Sequence, residues 1–124
     1  MSPLDWVGFV VAAAIGAPLR YLVDLAVAGR NWGVFPWGTL VINATGSFVL
    51  GALTGLALYH AFPAAAKVIL GTGFCGAYTT FSTFTYETVS LIEEGAVATA
   101  FRSALSMLLA GALAAALGMA AAAL

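Results

Sequence analysis

Thirty-six consecutive residues between Arg30 and Lys67 carry no formal charge, counting His60 as neutral. Nineteen more separate Lys67 from Glu87, and 22 follow Arg102. A membrane-spanning helix needs about 20 mostly apolar residues, so each run is long enough to supply one. The remainder of the chain cannot wet such runs. Of 124 residues only four are basic and five acidic. That is 7% charged, where a soluble domain carries about 25%. The chain reads as an all-α integral membrane protein. Its net charge of -1 offers no polycation for nucleic acid, and the single Cys75 excludes an internal disulfide.

Helix-breaking residues divide the chain into four candidate spans. The first runs from Leu4 to Ala28 and ends at Gly29-Arg30-Asn31-Trp32-Gly33. The second runs from Trp37 to Tyr59 and ends at His60-Ala61-Phe62-Pro63. The third runs from Ala65 to Leu91 and ends at Glu93-Glu94-Gly95, and the fourth from Ala96 to Ala123. Trp6, Trp32, Trp37 and Tyr59 fall near predicted ends, where aromatic rings favour the headgroup level. The first segment lacks a basic start, so it reads as a span and not as a cleaved leader. Residues 1–124 form one four-helix transmembrane domain on this reading. With an even number of spans both termini share a side, which has Lys67. The other side has Arg30, with Arg102 just inside the fourth span. A bias of about one charge hardly orients a protein. A weakly fixed orientation and a dual topology with antiparallel pairing both remain open.

Each polar group at membrane depth needs a partner or a function. Thr39, Asn43, Ser47, Gly51 and Gly55 recur every fourth residue, which lines them along one helical stripe. Small residues at this spacing let helices pack closely. That accounts for Ser47, Gly51 and Gly55, whereas Asn43 fits pore lining and interhelical bonding equally. The third span holds Gly71, Gly73 and Gly76, then five hydroxyl residues within Thr79–Thr85. Glycine weakens helices and dense hydroxyls compete for the backbone. A break near Gly76 to Thr80 is expected, against an unbroken helix whose hydroxyls bond their own carbonyls. Irregular backbone at this depth must be buried in protein or reached by water. Phe81 and Phe84 fit lipid contact or packing, or could turn positive ring edges toward an anion. Arg20 and Asp24, four apart, could pair. Arg20 and Glu87 fit vestibule charges or snorkelling groups equally, and Arg102 fits snorkelling. His60 reads as solvated. There is no phosphate loop, no nucleophile with a base and no carboxylate pair at mid-membrane, so the chain is not read as an enzyme.

Pro36-Trp37-Gly38-Thr39-Leu40-Val41-Ile42-Asn43-Ala44-Thr45-Gly46-Ser47-Phe48 resembles one signature of the Fluc/CrcB family of fluoride channels. Gly73-Phe74-Cys75-Gly76-Ala77-Tyr78-Thr79-Thr80-Phe81-Ser82-Thr83-Phe84 resembles the other, and Gly16-Ala17-Pro18-Leu19-Arg20-Tyr21 the first-span motif. The resemblance implies an antiparallel, dual-topology homodimer in the cell's inner membrane, exporting cytoplasmic fluoride by passive electrodiffusion. It implies a fluoride pathway with Asn43, Phe81, Phe84, Thr80, Ser82, Thr83 and, toward the far end, Ser103. Arg20 and Glu87 would be vestibule groups. The backbone carbonyls of Gly76 and Thr79, at the helix break, would hold a structural sodium ion on the dimer axis. Two positions depart from the family pattern. Ala77 stands where many relatives have a second glycine, and the fourth span offers only Ser103 and Ser106, beside Arg102. A small multidrug transporter shares the layout but needs a carboxylate deep in the first span, which has only Asp5 and Asp24 near its ends. A purely structural membrane subunit would use the Gly/Ser stripe without the Thr/Phe cluster.

Overall fold

The computed structural model describes residues 1–30 and 33–124. Asn31 and Trp32, part of the first predicted turn, lie outside that range. The first helix, α1 (Pro3–Ala28), starts where local chemistry dictates. The Asp5 N–H donates to Ser2 Oγ at 3.2 Å, and the Ser2 N–H donates to Asp5 Oδ2 at 2.7 Å, with Pro3 opening the helix. This reciprocal cap satisfies two end donors, and it gives Asp5 a local role. The second helix, α2 (Trp37–Tyr59), ends at His60 before Pro63.

The predicted third span is not one α-helix. It comprises α3 (Ala64–Lys67), a π-helical stretch (Val68–Cys75), α4 (Gly76–Tyr78), three non-helical residues, and α5 (Ser82–Glu93). Gly95 then turns the chain at φ 84°, a left-handed conformation that costs glycine little, and α6 (Val97–Ala122) follows. Among the described residues α1, α2 and α6 are long and apolar enough to cross a membrane. The break exists, but later than its glycines suggest. Gly76 is still helical at φ −63° and ψ −37°, and the chain first becomes extended at Thr79, at φ −77° and ψ 161°. Gly71 and Gly73 are buried against Leu50 and Phe9, so they permit close packing and do not loosen the helix.

Two helix pairs organise the molecule. The π-helical stretch packs along α1, where Gly8 meets Ile69, Phe9 meets Gly73 and Gly16 meets Phe74. The other pair, α2 with α6, is the most extensive. Its contacts run Asn43–Met107, Ser47–Gly111, Gly51–Ala115 and Gly55–Met119, so residue numbers rise together at a constant offset of 64. The two helices are therefore parallel. A Cβ on Gly51 would overlap the Ala115 carbonyl oxygen, and one on Gly118 would overlap that of Phe48. The stripe expected from the four-residue spacing is thus a packing seam at its Gly51 and Gly55 end. Elsewhere the outer faces of α1 and α6 expose leucine, valine and isoleucine in quantity, which suits lipid and not water.

Candidate functional site

The site grows from the point where the third helix fails. The last helical bond runs from Thr79 N–H to the Cys75 carbonyl at 2.9 Å, and Thr79 Oγ1 donates to the same oxygen at 2.8 Å. In an unbroken helix the Thr80 N–H would bond the Gly76 carbonyl. It donates instead to Asn43 Oδ1 at 2.9 Å, while Asn43 Nδ2 donates to the Thr80 carbonyl at 2.8 Å. The amide of Asn43 thereby completes both polar groups of one displaced residue. Of its two N–H bonds, the second has only Met107 Sδ nearby, at 4.0 Å, and a thioether is a weak acceptor. Of the two readings left open for Asn43, the interhelical bonding is present.

The hydroxyl run divides by role. Thr79, Thr85 and Thr88 bond the carbonyl four residues back, as the unbroken-helix reading has it. Thr80 does not. Its Oγ1 accepts the Thr83 N–H at 3.1 Å, capping the first turn of α5, and donates to Thr83 Oγ1 at 3.0 Å. Ser82 is exposed, 3.5 Å from Thr80 by its hydroxyl. Phe81 is 77% exposed and Phe84 half-buried, their rings 5.9 Å apart and inclined at 60°. Phe81 is the N-cap residue of α5 and Phe84 lies in its first turn.

The ionisable groups stand nearby. Arg20 Nη1 donates to the Thr79 carbonyl at 3.3 Å. Among the described residues Arg20 makes no ion pair, and Asp24 packs against Gly38 instead. Glu87 accepts from the buried Thr39 hydroxyl. Three recesses follow one another along these groups. An open one of about 500 Å³ is bordered by Asn43, Ser47, Gly76, Thr79, Thr80 and Phe81. The next, of about 220 Å³, is bordered by Arg20, Asp24, Thr39, Thr80 and Thr83. The outermost, of about 190 Å³, is bordered by Tyr86, Glu87, Ser90 and Glu94. Thr80 walls the first two, and the Thr39–Glu87 bond stands between the second and third.

Ser103 is not brought to these recesses. It is 0% exposed, and its Oγ is without a partner, alone in this among the buried side-chain polar atoms of the described residues. The constant offset places it beside Thr39. Arg102 is exposed, as snorkelling requires. His60 is also exposed, but it is tied through Nε2 to the Ala122 carbonyl at 2.8 Å. Two contributors were missed in the sequence. Thr39 carries a signal, being one turn from Asn43 on the same stripe. Met107 carries none, since its role comes from the α2–α6 register.

The Gly76 carbonyl has lost its helical donor, and a Cβ on Gly76 would find nothing within 4 Å. The Thr79 carbonyl leaves the helix and is approached by Arg20 with one N–H. Neutral carbonyl oxygens suit a hard monovalent cation, and a carbonyl has two lone pairs, so the Arg20 contact leaves one. Both oxygens are of the type a hard cation takes, but the Arg20 guanidinium beside the Thr79 carbonyl would oppose a cation at that one.

A helical membrane protein whose polar groups gather at a broken helix, along recesses and not around a reactive centre, belongs to the class that moves small solutes across bilayers. Residues 7–119 match the family described as CrcB-like protein, Camphor Resistance (CrcB). The chain is 47% identical over 108 residues to fluoride-specific ion channel FluC 1 of Streptomyces avermitilis, covering 87% of each chain. It is 47% identical over 122 residues to FluC 1 of Frankia casuarinae, covering 94% of this chain and 95% of that one. With FluC 2 of Mycobacterium bovis it shares 45% over 113 residues, covering 91% and 86%. The chain belongs to the CrcB family.

Proposed function

We propose that this chain is a fluoride-selective channel giving passive electrodiffusive export of cytoplasmic fluoride. The observation that carries the reading is the string of recesses meeting at Thr80 and at the Thr39–Glu87 bond. Fluoride is strongly hydrated, and a path must replace that water. Hydroxyls of Thr80, Ser82 and Thr83, the free N–H of Asn43 and the ring edges of Phe81 and Phe84 can do so without a fixed charge that would trap the ion. Arg20 supplies positive potential at the second recess. Ser103 is buried away from these recesses, so the path is drawn without it. The small multidrug reading is not favoured, because no carboxylate lies deep in α1.

The bent third helix is read as a crossing too, which makes four with α1, α2 and α6. At the break the backbone beside the exposed Gly76 and Ser82 would lack partners in lipid, which supports a second copy covering this face. The weak charge bias supports an antiparallel, dual-topology pair in the cell's inner membrane. The Gly76 and Thr79 carbonyls of both copies would then hold a structural sodium ion at the axis, adding fixed positive potential beside the anion paths.

Purified protein in liposomes is expected to release fluoride, and not chloride, once a potassium ionophore balances charge. A fluoride electrode reads the efflux. Release without ionophore would indicate a coupled carrier, and equal chloride release would remove the selectivity. For topology, a single cysteine near Arg30 in a Cys75→Ser background is expected to label from both sides of the membrane. Labelling from one side alone would defeat the antiparallel pair.

A further inference from the structure

We propose that Asn43 is a positioning residue: its amide pins the Thr80 peptide and so fixes how the broken helix presents Phe81. The proposal rests on the fluoride-channel reading and assigns Asn43 a role before any ion arrives. Between Tyr78 and Ser82 only the Thr79 N–H and the Phe81 carbonyl keep helical bonds, and Thr80 has none of its own. Its N–H and C=O groups would be orphaned at a depth where no lipid can satisfy them. A side-chain amide offers one acceptor and two donors in a plane, which matches the groups Thr80 presents. Only one donor remains for an ion.

Neighbouring residues of α2 complete the socket. Thr45 Oγ1 and the Tyr78 hydroxyl lie 2.8 Å apart. Gly46 is buried where a Cβ would overlap the Thr79 methyl and press on the Tyr78 ring. Residues 43, 45 and 46 thus hold residues 78–80 in sequence, and Phe81 follows directly, its carbonyl bonded by Thr85 and its ring touching Phe84. Phe81 is exposed, so packing within the chain does not orient it. The peptide before it does, and Asn43 holds that peptide.

The test uses the whole protein in micelles, in buffer free of fluoride. Amide exchange at Thr80 is followed by NMR, together with the fluorine resonance of 4-fluorophenylalanine at position 81 and, as a control, at the exposed Phe101. Asn43→Ala removes both bonds. Thr80 exchange is expected to rise about tenfold or more, at roughly 1 kcal/mol per bond. The resonance at 81 should shift or broaden while that at 101 stays. Asn43→Asp, held protonated in acidic buffer, keeps an acceptor and an O–H donor and is expected to hold Thr80 exchange near the wild-type rate at the same pH. Unchanged exchange and resonance in Asn43→Ala would overturn the proposal, as would movement at 81 and 101 together, which would mean a general loss of fold. If Asn43→Ala does not fold, fast Thr80 exchange in a folded Asn43→Asp would overturn it, and protected exchange would support it. Wild-type protein that passes no fluoride would sink the channel reading and leave these measurements intact.

Discussion

Gly118→Ala is expected to destroy the folded protein, although it adds one methyl group and removes a helix-weakening glycine. The new Cβ would overlap the Phe48 carbonyl oxygen and lie 2.9 Å from the Ala52 nitrogen. Both are backbone atoms inside α2, so no rotamer change relieves the clash. Overpacking of a core costs 1–3 kcal/mol when side chains can shift, and here about 3 kcal/mol or more is expected because they cannot. The monodisperse peak on size exclusion should disappear. Gly111→Ala on the same helix supplies the contrast. Its Cβ would meet Ser47 Oγ at 3.7 Å, an ordinary contact. Alanine gains about 1 kcal/mol of helix propensity there, so this variant is expected to be as stable as the parent. Equal behaviour of the two variants would mean that α2 and α6 do not share the register described.

Phe81→Ile and Phe84→Ile are expected to cut fluoride efflux about tenfold each, taking roughly 0.5–1.5 kcal/mol as the worth of an aromatic edge interaction beyond burial. Isoleucine keeps much of the volume and removes the quadrupole. The two sites separate conduction from stability. Phe81 is 77% exposed within the chain, so its loss should leave the fold of the subunit intact. Phe84 is half-buried and its replacement should lower thermal stability slightly as well. Efflux per unit of reconstituted protein, measured with the fluoride electrode, checks both. Unchanged efflux in both variants would return the rings to a packing role.

Much of the architecture is local and was legible without coordinates. Charge-free runs longer than a bilayer requires force helices, because a backbone in lipid must satisfy itself. Ser2 with Asp5, Pro63 and Gly95 act within a turn of their own positions, so helix ends fall within a few residues of the punctuation. The density of glycine and hydroxyl residues in the third segment correctly announces a break. The resemblance of the two signatures identified the family, and residues 7–119 bear it out.

The placement of the break was not local. Gly71, Gly73 and Gly76 looked like its cause, yet the first two serve close packing and all three lie in helical backbone. At Thr79–Phe81 the Thr80 N–H bonds Asn43, 37 positions earlier, and not the Gly76 carbonyl. The partner of an amide cannot be read from spacing, because it depends on which face of α2 meets the third helix. Arg20 was matched to Asp24 by the same local logic, and it turned to the Thr79 carbonyl 59 positions away. The chain alone determined that it would be helical, membrane-bound and broken once. Tertiary packing decided where, because satisfying a displaced peptide in lipid requires a polar group from another helix.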